Sequence, residues 1–550
     1  MIKEDLEKIL GFKVEATENP DFGDYSSNVA MVKAKKEGKS PKDYANILAE
    51  RFIKNVELQK FIDGIEVRSP GFINFWLKKD TLINNLIQID EQKGKYGFSN
   101  LFKGQKIMFE FAHPNTHKAF HIGHLRNITT GETLSRIFEA NGAEVIRANY
   151  QGDVGLHIAK ALWGINKLGF TDPKEVRARA EFLGKAYTLG ATTYEEDEKV
   201  KEEINQINGK IYDKSDESLN KLYKETRQWS LDYFAEIYKR VYTEFDRLYF
   251  ESEVFESGRE IAKDALKKGI LKESDGAIIF PGSEYGLHDR VFISGKGVPT
   301  YEAKDLGLAK LQFSEYNPDK LIHTVGPEQS AYFQVVFKAL ELIEPETKGR
   351  EIHVPYGWVR LKEGKMSSRT GNVVLGEKIL DDAKDAIKKA YKTEEKVAEK
   401  IAVGAVKYSF LKTGLGQDIA FDLKESISLE GNSGPYLQYT VARTNSVLAK
   451  STFKGETLKG EYSNLSGEEL SVLRALIRFP EVIESAAKSY SPNLLCNYLY
   501  DLAQKYNGFY NKDKIIGGEN EEFRLALTAG TGQVLKNGLK LLGIESPERM

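Results

Sequence analysis

The 550-residue chain is 41% hydrophobic and 29% charged, an ordinary composition for a folded globular protein, and at ~100–200 residues per domain it should divide into about three or four units. Lys+Arg 79 against Asp+Glu 81 leaves a formal charge of −2, so net charge selects no partner and any polyanion must be held by local basic surface. No apolar run reaches the ~18 residues of a membrane span, the start MIKEDLEKILGFKVEA has neither an export nor a transit pattern, and a single cysteine, Cys496, rules out disulfides and thiolate zinc cages.

From 1 to about 100 the pattern mixes helices, such as KDYANILAERFIKNV, with a strand, GFINFWL, in which Ile73, Phe75 and Leu77 alternate with Phe72, Asn74 and Trp76. KGKYGFSNLFKGQ reads as a linker. A compact unit follows: KIMFEFA as a buried strand, a turn at His113-Pro114-Asn115, a helix over about 122–140, a stop at Asn141-Gly142, and the strand AEVIRANY. Strand, helix and strand in this order predict a βαβ crossover and hence a parallel sheet. Residues 165–260 read as a helical insertion carried on that sheet. Short strands return at GAIIF, RVFIS and KLIHTVG, and from about 378 onward helical periodicity takes over. The expected division is therefore 1–100, 101–377 and 378–550.

Four of the eight histidines fall at 113, 117, 121 and 124. A metal site could use His121 and His124, three apart on one helical face, but no cysteine lies near them. A second reading is capping and packing at a helix start. The third follows from position: a strand, a turn, and His-Ile-Gly-His opening a helix, whose free N–H groups favour anions and whose Gly123 lacks a Cβ that would hold a nucleotide off the backbone. Two imidazoles there can donate to phosphate oxygens as charge builds in nucleotidyl transfer. A second phosphate-handling element is GKMSSRTGNVV, 364–374, a Gly-bounded loop with Lys365, two serines and Arg369.

In this order the two motifs resemble the HIGH and KMSKS signatures of class I aminoacyl-tRNA synthetases. EFAHPNTHKAFHIGHLRN, RANYQGDVGLH, YEAKDLGLA and KMSSRTGN narrow the resemblance to the arginyl-tRNA synthetase family. NPDFGDYSSNVA, SPGFINFWL, GNSGPYLQYTVAR and LLGIESPERM extend it over nearly the whole chain. The resemblance implies an α/β catalytic domain with a Rossmann-like parallel sheet, a small α+β N-terminal domain contacting the tRNA elbow, and an all-α C-terminal anticodon-binding domain. It implies activation of L-arginine by ATP with Mg²⁺, no zinc, transfer to tRNA(Arg), and activation that waits for tRNA. A cytoplasmic monomer with no membrane partner is expected.

By that resemblance His121, His124, Lys118 and Lys365 serve the phosphates, with Gly123, Met366 and Ser367 at ATP and Gly357-Trp358-Val359 holding adenine through backbone contacts. Glu110, Asn115, Tyr301, Asp305 and Gln329 form the arginine pocket. Carboxylates and amide oxygens suit a planar fork of guanidinium donors, and an in-plane Asp305 would reject lysine. Ser368 stands where the class usually has a second lysine, and the family pattern places a compensating lysine at Lys118. Tyr436, Tyr439 and Tyr510, with Met550, are expected to meet anticodon bases by stacking. The alternatives are a non-enzymatic synthetase-like tRNA binder, a class I synthetase for another amino acid, and a small HxGH nucleotidyltransferase. The first is disfavoured by the intact signature residues, the second by the acidic side-chain pocket and the missing zinc ligands, and the third by the flanking domains.

Overall fold

The computed structural model describes every residue except 1, 18, 363–373, 454, 456, 457, 459–461 and 463. Two compact units emerge: one joins residues 1–99 with 429–541 and 545–550, the other spans 100–428 with 542–544.

In the first unit, α1 (Ile2–Leu10), β1 (Glu15–Ala16), β2 (Tyr25–Ser27), α2 (Val29–Lys33), α3 (Pro41–Ile53), β3 (Ile62–Arg68), β4 (Phe72–Leu77) and α4 (Lys79–Gln92) come first. The four strands form one antiparallel sheet, β1-β2-β4-β3. As the alternation in GFINFWL predicts, Ile73, Phe75 and Leu77 are buried while Phe72 is exposed. Asn74 is buried too, because Ser26 Oγ donates to its Oδ1 at 2.7 Å.

The second unit contains β5 (Lys106–Glu110), α5 (Ile122–Ala140), β6 (Glu144–Gln151), α6 (Leu156–Leu168), α7 (Val176–Glu196), α8 (Glu198–Asp213), α9 (Glu217–Arg240), β7 (Arg247–Phe250) and α10 (Glu251–Lys267). It continues with β8 (Lys272–Ser274), β9 (Ala277–Phe280), β10 (Arg290–Ile293), α11 (Tyr301–Tyr316), β11 (Lys320–Val325), α12 (Ser330–Ile343), β12 (Glu351–Pro355), β13 (Val359–Leu361), α13 (Gly376–Tyr391), α14 (Glu395–Leu411), β14 (Ile419–Phe421) and α15 (Leu423–Ser426). Its centre is a five-stranded parallel sheet in the order β12-β11-β5-β6-β7. From β5 the chain steps outward to β6 and β7, and later through β11 to β12 on the other side. Strand order thus reverses between β5 and β11, the position where open α/β sheets leave a ligand crevice beyond their strand C-termini.

The strands at GAIIF and RVFIS form, with β8, a separate antiparallel sheet, β10-β9-β8. Two expected bounds differ from the structure. The helical insertion stops short of 260, since β7 is an edge strand of the central sheet paired with β6. The boundary at 377 also moves: α13, α14 and β14 belong to the second unit, which runs to residue 428. Residues 401–411 of α14 are all buried, and β14 pairs in parallel with β13. Helical periodicity reports that a face is buried, not which core buries it.

The first unit closes with α16 (Gly434–Ala449), α17 (Gly467–Leu476), α18 (Phe479–Lys488), α19 (Pro492–Lys512) and α20 (Glu521–Leu541). Cys496 is buried there, as expected. Arg443 on α16 lies 5.0 Å from the Tyr439 ring and 4.8 Å from that of Tyr510, and Asn507 Nδ2 donates to Tyr436 Oη at 2.9 Å. The three tyrosines thus group around Arg443 and Asn507, neither of which any motif singles out. Met550 is 38% exposed. Among the described residues no helix is long and apolar enough to cross a membrane.

Candidate active site

The loop between β5 and α5 is fixed by Asn127 on α5, Asn149 on β6 and the backbone carbonyl of Gly152. Asn127 Oδ1 accepts the Ala112 N–H at 2.7 Å, and its Nδ2 donates to Thr324 O at 2.8 Å and Tyr356 Oη at 2.9 Å. Asn149 Oδ1 accepts the His113 N–H at 3.2 Å, and Gly152 O accepts the Thr116 N–H at 3.0 Å. Ala112, His113 and His117 have φ of 78°, 49° and 60°, left-handed conformations that cost non-glycine residues about 1–2 kcal/mol each and persist only when the surroundings impose them.

His121 is the N-cap of α5. Its Nδ1 accepts the N–H groups of Gly123 (3.1 Å) and His124 (3.4 Å), and His124 Nδ1 accepts the His121 N–H at 3.2 Å. The two rings stack with centroids 3.7 Å apart. An Nδ1 that accepts carries no proton, so each imidazole holds its hydrogen on Nε2. Burial, then the neighbouring Lys118, lowers the pKa of His121; burial, then His121 itself, pushes that of His124 well below the usual histidine value. Both are neutral Nε2–H donors at pH 7. A Cβ on Gly123 would come within 2.9 Å of His121 Cε1, so this glycine also protects the cap.

The other two histidines are structural. His117 is buried: Ser230 Oγ accepts its N–H at 2.9 Å, and its Nε2 lies 2.8 Å from Thr226 Oγ1, both on α9. Burial drives its pKa down to about 3. Asp153, fully buried, accepts from Tyr223 (3.2 Å), Arg227 (2.8 Å) and Ser252 (2.7 Å from Oγ). The helical insertion therefore braces the signature loop from behind. His113 Nε2 is buried with no hydrogen-bond partner.

Lys118 makes no ion pair among the described residues; its ammonium lies 5.1 Å from the ring centroid of Tyr187 on α7. Lys365, Met366, Ser367, Ser368 and Arg369 lie outside the described residues. The chain on the far side of them docks on the first motif: Ile122 N–H donates to Val374 O at 3.0 Å, Gly376 N–H donates to Phe120 O at 2.8 Å, and His121 bridges Leu375.

The segment 357–359 is clamped from below. A Cβ on Gly357 would lie 2.4 Å from Gln417 backbone atoms. Trp358 donates its N–H to Asp418 Oδ1 (2.7 Å) and accepts at its carbonyl from Ile419 N–H (2.7 Å) and Arg126 Nη1 (3.3 Å). Both backbone groups of Trp358 are thus occupied, contrary to the expectation that they meet adenine. The parallel register with Ile419 turns the N–H and C=O of Val359 to the opposite edge of the two-stranded β13-β14 sheet. Arg126 is fully buried without a carboxylate partner; it donates to the carbonyls of Trp358, Leu415 (3.1 Å) and Gln417 (3.2 Å). Nothing in the sequence around Arg126 signals this role.

Of the five residues expected to form an arginine pocket, Glu110 is already engaged. Its Oε1 lies 3.0 Å from His323 Nδ1, its Oε2 accepts from Gln312 Nε2 at 2.5 Å, and His323 Nε2 contacts Glu351. The flanking carboxylates outweigh burial and raise the His323 pKa to about 10, while His323 holds Glu110 below the carboxylate range against its own desolvation. Both carboxylate oxygens of Glu110 are thus occupied, one by Gln312 on α11 and the other by His323, which β5 and β11 place opposite it in register.

Asp305 is different. Tyr332 Oη donates to its Oδ2 at 2.6 Å, no cation among the described residues pairs with it, and burial, only partly offset by Tyr332, pushes its pKa up to about 7. Asn115 Oδ1 points at Gly152, where a Cβ would come within 2.1 Å. Tyr301 opens α11 one turn before Asp305 and is 62% exposed. Gln329 follows β11, three residues before Tyr332, and its side-chain amide has no partner among the described residues. Lys304 and Glu251 pair at 2.7 Å and are both buried, leaving Asp305 as the unneutralised acid of the group.

Three family models match: "tRNA synthetases class I (R), catalytic domain" over 85–423, "DALR anticodon binding domain" over 437–550, and "Arginyl tRNA synthetase N terminal domain" over 1–77. The chain is 34% identical over 531 residues to the arginine–tRNA ligase of Borrelia turicatae, covering 92% of this chain and 90% of that one. It is 33% identical over 572 residues to that of Treponema denticola, covering 100% and 96%. The Thermus thermophilus arginyl-tRNA synthetase structure superimposes with a TM-score of 0.84 at 25% identity, covering all of both chains. The chain belongs to the arginyl-tRNA synthetase family, class I ligases that join arginine to tRNA at the expense of ATP.

Proposed function

We propose that His121 and His124 act in arginine activation as neutral donors rather than as acids or bases. The arginine carboxylate attacks the α-phosphate of ATP, pyrophosphate leaves, and the tRNA terminal ribose then attacks the acyl carbon of arginyl-adenylate. Charge grows on phosphate oxygens in the first step, and two Nε2–H groups fixed at a helix N-terminus stabilise it without reorganising. The observation that carries this reading is the reciprocal cap, which commits both Nδ1 atoms to backbone N–H groups.

Lys118 supplies the mobile positive charge that Ser368 lacks, with Lys365 on the outer phosphates and Met366 and Ser367 beside it. Mg²⁺ enters with ATP and supplies further charge neutralisation; among the described residues no three His, Cys, Asp or Glu side chains converge to hold a metal independently. Adenine lies along the Val359 edge, next to Gly357 and Trp358. The guanidinium pairs with Asp305, flanked by Asn115, Tyr301 and Gln329, in the negative field of Glu110.

Tyr436, Tyr439 and Tyr510 around Arg443, with Met550 at the chain end, receive anticodon bases, since aromatic and guanidinium planes suit stacking of splayed RNA bases. The N-terminal sheet meets the tRNA elbow, activation waits for tRNA, and the protein works as a cytoplasmic monomer. Pyrophosphate exchange with each amino acid, with and without tRNA, tests the scheme. Exchange that depends on both arginine and tRNA is expected. Exchange with arginine alone would remove the tRNA requirement, and a normal rate in a His121→Ala/His124→Ala variant would remove the donor role.

A further inference from the structure

One buried polar atom beside the proposed arginine pocket has no partner. Tyr150 is the second-last residue of β6, adjacent to β5 in the central sheet. The residue is half-buried, yet its hydroxyl is buried and makes no hydrogen bond among the described residues. A buried polar atom left unpaired forfeits about 1–3 kcal/mol, and native folds rarely tolerate it without a reason.

Tyr150 packs against the buried cluster that includes Val254 on α10 and Leu308 on α11, one turn beyond Glu251 and Asp305 respectively, and the charges acting on its hydroxyl are Glu251, Asp305, Glu110 and Asp153. Three of them are already matched: Glu251 by Lys304, Glu110 by His323 and Gln312, Asp153 by Arg227, Tyr223 and Ser252. Asp305 alone has no cation beside it among the described residues, and only its Oδ2 is held, by Tyr332. A phenol oxygen without a hydrogen bond and a carboxylate without a cation thus belong to one acidic cluster. A neutral or anionic ligand would leave that cluster repelled, whereas a cation with several donors satisfies both groups at once.

We propose that Tyr150 is a specificity-determining residue, its hydroxyl oxygen accepting a hydrogen bond from the arginine guanidinium while Asp305 takes the other donors. The proposal rests on the reading that Asp305 binds the guanidinium. A guanidinium has five donors in a fixed plane, enough for a carboxylate and a third acceptor. Citrulline replaces a charged donor edge with a carbonyl and turns an acceptor toward two acceptors. Lysine presents three donors on one atom and cannot span two separated acceptors in a plane.

The test is Tyr150→Phe, which removes only the hydroxyl. In tRNA-dependent pyrophosphate exchange the KM for arginine should rise about tenfold to a hundredfold, the value of one hydrogen bond to a charged partner. The KM for ATP should stay within twofold, and discrimination of arginine over citrulline should fall. The melting temperature of the free variant should not drop, since an unpaired group is lost, and added L-arginine should raise it less than it raises that of the wild type. An unchanged arginine KM overturns the proposal, as does a lower melting temperature accompanied by equal losses toward ATP and arginine. If instead Asp305→Asn leaves the arginine KM intact, the pocket reading itself fails, whatever Tyr150 does.

Discussion

Arginine binding should release protons in a way set by Asp305. Its carboxyl is pushed up to about 7, chiefly by burial, with Glu110 adding repulsion and Tyr332 opposing the rise. A guanidinium pairs with the ionised form, so any proton present must leave on binding. At pH 7 the free site is half protonated and binding should release about 0.5 proton; at pH 6 about 0.9, and at pH 8 about 0.1. The apparent affinity at pH 6 should be about tenfold below its alkaline limit, following one proton per site.

Among the neighbours, His323, raised to about 10, stays charged and Glu110, lowered by it, stays ionised; Lys304 opposes the rise that burial gives Glu251. For stability the sign is the reverse of the usual acid case. Asp305 has a raised folded-state pKa, so its favourable contribution is complete below the ordinary aspartate value of about 3.9 and is lost as pH rises through about 7. The assay is calorimetric titration of L-arginine in two buffers of different ionisation enthalpy between pH 6 and 8. Heats that do not depend on the buffer at pH 6.5, or a release that survives Asp305→Asn, would refute the assignment.

Replacing His121 by Asn keeps an N-cap acceptor but removes the Nε2–H, so the melting temperature should hold while the adenylation rate falls ~10²–10³-fold, the usual loss of one preorganised donor; a rate loss matched by unfolding would point to capping alone. Arg126→Met removes the donor that holds the Trp358, Leu415 and Gln417 carbonyls, each bond being worth about 1 kcal/mol. The KM for ATP should rise severalfold and that for arginine should not, read from initial rates with each substrate varied in turn. Lys118→Ala should depress arginine activation far more than tRNA affinity, as measured by exchange rate against filter binding; equal effects would assign Lys118 to the tRNA.

The β5–loop–α5–β6 unit was legible because its signals are local: a buried strand, capping residues, and a stop at Asn141-Gly142. The separate β8–β10 sheet was not, since a short apolar run does not say which edge it joins. The same limit misplaced the boundary at 377, where α14 turns its apolar face toward the second unit. At the site, the histidine signature was visible, but its geometry was not. That Glu110 would be occupied by Gln312 and His323, some two hundred positions away, follows from the register of β5 with β11 and from the packing of α11. Arg126 and Tyr150 sat inside quoted motifs without distinction, because a side chain acquires its role from which groups around it are left unpaired.

The histidines also decide what shape the pH profile can take. His117 and His157 are pushed down to about 3, and His113, His121 and His124 are all lowered by burial. A histidine-rich signature would ordinarily suggest an acidic limb near 6.5 caused by imidazole protonation. Here every signature imidazole keeps its neutral form to lower pH, so none can cause a limb near neutrality, and protonating His121 would break its acceptance of the Gly123 and His124 N–H groups. The limb of kcat/KM for arginine should instead lie near 7 and disappear in Asp305→Asn, while kcat/KM for ATP at saturating arginine should stay flat from pH 8 down to 6.5. A limb near neutrality in both parameters would mean that the histidines titrate in the working enzyme, and the neutral-donor mechanism would fall with it.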